Sequence, residues 1–323
     1  MRVGLSVYGT TFGMGIHPAS GRPIITPRLL MDKAIAAGLE GVDLPTSLMK
    51  SEDTTTVAHY AQERELFIIL ETEGYDPGKL ASVINLGVRL GASTVRTMVG
   101  GAKLGGDRRP LAGRWQPFLQ EILAGLQQAT AIAELAGVNL AVENHQDLAS
   151  EELLWLCESI RSNRFGITLD TGNPLATAEE PLDFARRVAP YVKNVHLKDY
   201  QVYMNNEGYR LVRCPLGQGV VDFPALFRIL SEVCPHVTMS IELGALEARH
   251  VRVFADNYWL DYPPRSAAQL AHVLRFVQDN AMPSGDWRTP FERNEPVEAI
   301  IAYENQQLAA SLAYILPLFA EAN

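Results

Sequence analysis

Short apolar segments rich in β-branched residues alternate along the chain with longer segments of helical periodicity. This alternation is typical of a parallel sheet whose strands are connected by crossover helices. The segments predicted as strands are 3–8, 41–44, 67–71, 94–98, 139–143, 166–170, 194–197 and 238–242. Eight such strands, each followed by a helical segment, predict an α/β fold of the closed (β/α)₈ type, the TIM barrel.

The predicted helices have ordinary boundary residues. Residues 27–37 begin with a proline, and residues 77–90 and 115–136 are each followed by a glycine. Proline favours the first helical turn, and glycine adopts the left-handed conformation in which many helices end. Strands and helices are therefore expected to follow one another in a regular βα order.

An open, doubly wound sheet is the structural alternative. It would require a glycine-rich phosphate-binding turn between the first strand and a helix directly behind it. Residues 9–15 lack that spacing, and no Gly/Ser-rich linker divides the chain. We therefore predict one barrel domain over residues 1–280. Residues 281–323 are predicted to be a C-terminal helical extension packed on the barrel, with a helix near 297–316, which either closes over the barrel mouth or forms an oligomer contact.

The composition argues against several classes of function. The formal charge is −9, and basic residues do not alternate with aromatic ones, so nucleic acid is not an expected ligand. No apolar segment approaches the roughly 20 residues of a membrane span, and the first residues lack the features of a secretory signal. Cys157, Cys214 and Cys234 are odd in number and widely spaced. This pattern predicts a reducing, cytoplasmic setting.

Four consecutive predicted strands end in side chains that bind metals. Glu143, Asp170, His196 and Glu242 stand at or next to these ends, and barrel active sites lie at this carboxyl face. Three carboxylates buried together without a counter-charge are strongly unfavourable, so a divalent cation is expected among them. Helix capping is the alternative for each residue alone, but it does not account for four strands in succession.

Three carboxylates and one imidazole favour a single divalent ion with open positions for substrate oxygens. Mn²⁺ is the first expectation, with Co²⁺, Mg²⁺ and Zn²⁺ as alternatives. His145, two residues after Glu143, is either a catalytic group or a hydrogen-bonding partner of the site. Lys198 and Arg213 are the candidate substrate contacts. The alternatives are a structural ion pair between Lys198 and Asp199 and a solvated loop arginine.

Five motifs surround these residues. They are Glu143-Asn144-His145, Leu169-Asp170-Thr171-Gly172-Asn173, His196-Leu197-Lys198-Asp199, Gly217-Gln218-Gly219-Val220-Val221-Asp222-Phe223 and Ile241-Glu242-Leu243-Gly244. Together they resemble the sugar phosphate isomerase/epimerase superfamily, also called xylose isomerase-like barrels, over residues 1–280. In ketose 3-epimerases of that superfamily the four strand-end positions bind Mn²⁺ or Co²⁺. The resemblance implies that Glu143 and Glu242 form an acid–base pair on opposite faces of the substrate.

One motif departs from the epimerase pattern. Such epimerases usually follow the first glutamate with proline, whereas this chain has Asn144-His145-Gln146-Asp147. A histidine at this place resembles superfamily members that decarboxylate or eliminate from 3-oxo sugars and sugar acids. These include 3-oxo-isoapionate decarboxylases and the α-subunits of C-glycoside deglycosidases.

The leading hypothesis is a metal-dependent isomerase or epimerase of a small keto-sugar or sugar acid. A cation chelated by the substrate carbonyl and its neighbouring hydroxyl would stabilise the enediolate that forms. A lyase that uses the same enediolate is the first alternative. An accessory barrel of a hetero-oligomer is the second, and a homo-oligomer is also compatible with the sequence. A nuclease of this fold would need more histidines and a basic face, whereas this chain has seven histidines and a negative net charge.

Overall fold

The computed structural model describes residues 1–244 and 246–322, and these residues contain a closed barrel of eight parallel strands. Three further strands, β8, β9 and β11, lie outside the barrel. In chain order the strands of the described residues are β1 (Arg2–Ser6), β2 (Gly41–Pro45), β3 (Phe67–Glu73), β4 (Thr94–Met98), β5 (Asn139–Glu143), β6 (Phe165–Asp170), β7 (Val192–Leu197), β8 (Tyr200–Asn205), β9 (Gly208–Arg213), β10 (Thr238–Ile241) and β11 (Arg249–Val251). The barrel order is β1-β10-β7-β6-β5-β4-β3-β2. The predicted TIM barrel is confirmed, with strand bounds that agree to within two residues.

Helices connect the barrel strands and cover them. They are α1 (Pro27–Ala36), α2 (Thr54–Glu63), α3 (Pro77–Leu90), α4 (Trp115–Ala136), α5 (Ser150–Ile160), α6 (Pro181–Val188), α7 (Phe223–Val233), α8 (Ala267–Asp279) and α9 (Val297–Ala322). The carboxylate of Asp76 accepts the backbone N–H of Lys79 at the start of α3, and Gly91 ends that helix with a φ of 70°. Within the described ranges, no helix has the length and apolar character to span a bilayer.

The core lies between the barrel strands and the helices. Strands β2 and β6 are buried along their whole length, because a parallel sheet in a barrel is covered on both faces. Leu5, Val95 and Val142 are fully buried in one continuous cluster that includes residues of the outer helices. Packing on both faces of the sheet therefore holds the carboxyl ends of neighbouring strands at defined positions along the barrel axis.

A second, antiparallel sheet of order β11-β9-β8 lies outside the barrel, and the sequence analysis did not predict it. β8 and β9 form a hairpin in which Asn205 pairs with Gly208. Tyr200 and Tyr209 of this hairpin pack in a separate apolar cluster with Val273 of α8. The alternating apolar residues and the Asn-Asn-Glu-Gly turn were the available signal.

Helix α9 packs on the outside of the barrel. Ile315 and Phe319 belong to the main core, and the Phe319 ring lies 4.9 Å from the ring of Phe227 in α7. The sequence predicts an end at residue 316, but the helix continues past Pro317. A proline inside a helix removes one backbone hydrogen bond. Packing of Phe319 against α7 offsets that loss.

The first turns of α9 lie at the barrel mouth. Ile300 and Ile301 form a small apolar cluster with Phe12, which follows β1. The Glu304 carboxylate accepts the backbone N–H groups of Phe12 and Gly13 at 2.9 and 3.0 Å. The C-terminal extension therefore contacts the mouth through the loop after β1.

Candidate metal centre and active site

Four strand-end residues converge inside the carboxyl end of the barrel. Glu143 ends β5, Asp170 ends β6, His196 lies in β7 and Glu242 directly follows β10. All four are buried, and each offers one ligand atom within 4.8 Å of the others. In the sheet register Asp170 lies beside His196, and His196 lies beside Ser240. Closure of the barrel thus places all four side chains at one level.

The imidazole of His196 faces two different groups of residues. Its Nδ1 lies 2.5 Å from Glu242 Oε2 and 3.6 Å from Glu143 Oε1. Its Nε2 lies 2.8 Å from Asp43 Oδ2 on β2. The Nδ1 atom is therefore the one directed into the acidic cluster.

Several buried polar atoms of this cluster lack hydrogen-bond partners among the described residues. They are both carboxylate oxygens of Glu143, Nδ1 of His196 and Oε2 of Glu242. Arg96 Nε lies 2.7 Å from Glu143 Oε2, but outside hydrogen-bonding geometry. Buried polar atoms are normally satisfied. Unpartnered oxygens and a nitrogen that share one centre are the donor set that a divalent cation needs, so these residues fit a metal ion.

The electrostatics of the cluster attract positive charge. Burial disfavours the charged imidazole of His196, but Glu242 and Glu143 outweigh burial and raise its pKa well above the usual value. Burial also opposes ionisation of Glu143, but Arg96 and His196 outweigh it and lower the pKa of Glu143 to about 2. A cation bound at Nδ1 would replace the proton that these carboxylates favour there.

Lys198 is part of the cluster. Its Nζ lies 2.6 Å from Asp170 Oδ2 and 3.3 Å from Glu242 Oε1. The alternative of an ion pair with Asp199 is therefore wrong. The oxygens of Asp199 instead accept backbone N–H groups, including those of Gly217 and Gly219.

Backbone and amide groups hold Asp170 in place. Its Oδ1 accepts the N–H groups of Gly172 and Asn173 at 3.0 and 3.2 Å. The Asn144 amide donates to the Asp170 carbonyl and accepts the Asp170 N–H. Hydrogen bonds between Asn144, after β5, and Asp170, at the end of β6, thus hold the two strand ends together. Oδ1 of Asp170 is used by backbone N–H groups, so its Oδ2 is the oxygen that contacts Lys198 and faces the cluster.

His145 is half-buried beside the cluster. Burial lowers its pKa, although Glu143 acts in the opposite direction. A neutral imidazole at this position is able to accept a proton. Its catalytic role remains a prediction.

Arg213 ends β9 and is 2% exposed, so the alternative of a solvated loop arginine is wrong. Its Nη2 donates to the Gly9 carbonyl at 3.3 Å, and its Nη1 lies 3.7 Å from Glu304 Oε1. These contacts connect β9, the loop after β1 and α9. The substrate contact of Arg213 remains a prediction.

Three charged residues in the opposite half of the barrel were not predicted from the sequence. Asp43, Glu71 and Arg96 lie on β2, β3 and β4, and all three are buried. Burial, only partly offset by Arg96, raises the pKa of Glu71 to about 7. Single charged residues within otherwise apolar strands were the signal that could have identified Asp43 and Arg96.

A cavity of about 340 Å³ opens over this half of the barrel mouth. Tyr8, Ser47, Lys50, Glu71 and Arg96 are among its lining residues. Because Arg96 also contacts Glu143, the cavity adjoins the acidic cluster. It offers space for a small polar molecule next to the four converging residues.

The amino-acid sequence also matches a protein family whose members have this type of barrel. Residues 78–250, more than half of the chain, match the family model of the xylose isomerase-like TIM barrel. The chain belongs to the xylose isomerase-like TIM barrel family. The family assignment covers β5, β6, β7 and β10, the strands that bring the four residues together.

Two curated relatives of this xylose isomerase-like barrel match part of its length. The uncharacterized protein YihM of Escherichia coli (strain K12) is 25% identical over 214 residues, which are 62% of this chain and 61% of YihM. The 3-oxo-isoapionate decarboxylase of Pectobacterium atrosepticum is 27% identical over 164 residues, 50% of this chain and 55% of the relative. The chain thus spans between half and two thirds of the length of these relatives.

Solved structures share the fold at low identity. A D-tagatose 3-epimerase-like protein has a TM-score of 0.58 at 18% identity and covers 86% of this chain and 99% of its own. The IolI protein with a bound zinc atom has a TM-score of 0.57 at 14% identity, with 87% and 96% covered. A Mycobacterium smegmatis barrel in complex with magnesium has a TM-score of 0.57 at 15% identity, with 87% and 98% covered.

Proposed function

We propose that this chain is a divalent-metal-dependent enzyme that acts on a small keto-sugar or sugar acid. Glu143, Asp170, His196 and Glu242 would hold the ion. The observation that supports this proposal most directly is the convergence of four buried residues whose ligand atoms lie within 4.8 Å of one another, together with the polar atoms among them that make no hydrogen bond to the rest of the described residues. Related folds that contain zinc or magnesium are consistent with it.

The donor set is compatible with more than one ion. Three carboxylates and one imidazole suit Mg²⁺, Mn²⁺, Co²⁺ and Zn²⁺. Solved neighbours contain zinc in one case and magnesium in another. The preference for Mn²⁺ remains a prediction, which metal analysis of the purified protein tests.

When bound, the cation would polarise the substrate carbonyl and offset the negative charge that develops on its oxygen. The protein's own residues prepare that site. Arg96 and Lys198 hold Glu143 and Glu242 as anions in a buried environment. We propose that Glu143, Glu242 and His145 exchange protons with the substrate, and that Lys198 orients its hydroxyl groups.

The reaction class has two candidates. An isomerase or epimerase needs an acid and a base that act on separate positions or faces of the substrate. A decarboxylase needs only one proton, which is returned to the enediolate after carbon dioxide leaves. A lyase that expels a β-substituent needs a base that removes the α-proton and an acid that protonates the leaving group. Two observations favour a decarboxylating lyase. One is the relative named as a 3-oxo-isoapionate decarboxylase. The other is that burial, which would raise the pKa of Glu143 and Glu242, is outweighed by neighbouring cations that lower it, and a carboxylate of low pKa is a weak base for the proton removal that an epimerase needs.

A product assay separates the two candidates. Protein stripped with a chelator and reloaded with Mg²⁺, Mn²⁺ or Zn²⁺ is incubated with ketoses and with 3-oxo sugar acids. Carbon dioxide release without an epimer would support the lyase, and an epimer without carbon dioxide would support the isomerase. Asp170→Asn should abolish either reaction, whereas Asp183→Asn, an exposed carboxylate on α6, should not. Turnover that is indifferent to chelation would contradict the metal-dependent proposal.

A further inference from the structure

Asp43 contacts His196 on the side of the imidazole that faces away from the acidic cluster. Its Oδ2 lies 2.8 Å from His196 Nε2, and its Oδ1 accepts the hydroxyl of Ser240 at 2.8 Å. All three side chains are 0% exposed. Asp43 lies on β2, which is separated from β7 by β1 and β10 in the barrel order. The contact therefore crosses the barrel interior.

We propose that Asp43 is a positioning residue that fixes the tautomer of His196. Carboxylate oxygens face both ring nitrogens, so the bare ring can hold a proton on each side. An ion at Nδ1 would replace the proton on that side, and the one proton left on the ring would then lie on Nε2, where Asp43 accepts it. Ser240 in turn fixes the orientation of the Asp43 carboxylate. This inference rests on the proposed metal site and assigns the nitrogen that would bind the ion.

An alternative arrangement uses the same residues. Asp43, Glu71 and His196 also bring ligand atoms within 4.8 Å of one another, which would suit a second cation. Both oxygens of Asp43, however, already have hydrogen-bond partners. The Ser6 hydroxyl lies 3.3 Å from Glu71 Oε1, and Arg96 Nη2 lies 3.9 Å from Glu71 Oε2.

The groups of residues on the two sides of the His196 imidazole therefore differ in whether their polar atoms already have hydrogen-bond partners. Unpartnered atoms lie on the Nδ1 side, where Glu143 and Glu242 face the imidazole. On the Nε2 side, protein donors already face Asp43 and Glu71. Of the two clusters that share His196, the structure assigns a cation to the one on the Nδ1 side, and it assigns Asp43 to the support of the imidazole ligand rather than to the ligand set.

Titration calorimetry with Zn²⁺ tests the assignment without any substrate. Wild-type protein should bind one Zn²⁺ per chain, and Asp43→Ala should weaken binding about 10–100-fold, as loss of such outer partners does. Asp43→Asn should weaken binding less, because its amide oxygen still accepts the Nε2 proton. Glu179→Gln is the matched control: Glu179 is also a buried carboxylate, but its partners are Ser150, Thr177, Arg187 and Arg265, which lie outside the acidic cluster. It should leave the affinity unchanged.

Nitrogen-15 NMR of the Zn²⁺-loaded protein reports the tautomer directly. His196 should bind zinc through Nδ1 and carry its proton on Nε2 in the wild type and in Asp43→Asn, whereas Asp43→Ala should give a mixture of rings bound through Nδ1 and through Nε2. If Asp43→Ala does not fold, the spectrum of Asp43→Asn and the stoichiometry of the wild type decide the question. A second ion that persists when His272→Ala removes the partly exposed group with Glu180 and Asp183, a zinc-bound Nε2 in the wild type, or unchanged affinity in a folded Asp43→Ala would overturn the inference. A wild-type protein that binds no Zn²⁺ would overturn the proposed function as well.

Discussion

Asp199 is a buried carboxylate whose two oxygens accept four backbone N–H groups. Oδ1 accepts those of Tyr200 and Val221, and Oδ2 accepts those of Gly217 and Gly219. A Cβ at Gly219 would lie 2.3 Å from Asp199 Oδ1, so only glycine allows this approach. One side chain thus fixes the loop between β9 and α7. The cost of burial exceeds the benefit of the hydrogen bonds and raises the pKa of Asp199 to about 6.

The raised pKa of Asp199 predicts a specific pH dependence of stability. The folded state binds the proton more tightly than the unfolded state, so this contribution is fully present below about pH 4 and is lost as pH rises to about 6. The loss should be about 3 kcal/mol for a shift of this size. Urea unfolding of wild type and Asp199→Asn at intervals from pH 4 to pH 7 measures it. The difference between the two proteins should change over that interval and then stay constant. A difference independent of pH would contradict the prediction.

At the scale of elements, α9 controls the loop after β1. Glu304 accepts two backbone N–H groups of that loop, and Arg213 from β9 contacts both Glu304 and the Gly9 carbonyl. Tyr8, one residue before Gly9, lines the cavity at the barrel mouth. A helix distant in sequence therefore holds a loop that borders the candidate substrate site.

Glu304→Gln should loosen this loop. The substitution leaves the buried charge of Arg213 without its partner, which should cost about 3–5 kcal/mol. Hydrogen exchange of residues 9–16 should accelerate more than that of the barrel strands, and urea unfolding should show the loss of stability. Glu298→Gln, at an exposed position in the first turn of the same helix, is the control and should change neither. Equal acceleration in both variants would show that Glu304 does not hold the loop.

At the scale of the whole molecule, the buried charges would link folding to binding of the proposed cation. Asp43, Glu71, Glu143, Asp170 and Glu242 are five carboxylates at the carboxyl end of one barrel, and all are buried. Two buried cations, Arg96 and Lys198, contact them. An ion that binds only the folded state adds stability according to its concentration relative to its dissociation constant.

Divalent ions should therefore raise the melting temperature. Zn²⁺ at 100 times its dissociation constant should add about 2.7 kcal/mol, and EDTA should reverse the gain. Asp170→Asn should abolish the shift in differential scanning calorimetry. His272→Ala removes a member of a separate, partly exposed group with Glu180 and Asp183, and it should leave the shift intact. A shift that depends on His272 rather than Asp170 would place the ion at the surface.

The barrel and the four residues at its strand ends could be predicted from sequence patterns alone. Each strand and each helix boundary is predicted by a local sequence pattern. Once the strands form a closed parallel barrel, all their carboxyl ends lie at the same end of it. The hairpin of β8 and β9 was also readable locally, from its alternation and its turn, and was overlooked. Glu143, Asp170, His196 and Glu242 were predictable because strand order alone brings them together.

The other residues that contact these four side chains could be identified only from the tertiary structure. Asp43 and His196 are 153 positions apart, and Phe12 and Glu304 are 292 apart. Such pairs depend on how strands align across the barrel and on where α9 packs. A charged residue in a strand looks the same in sequence whether it faces a metal ligand, an arginine or solvent. Sequence patterns specify local elements, whereas long-range contacts follow from the packing of those elements against one another.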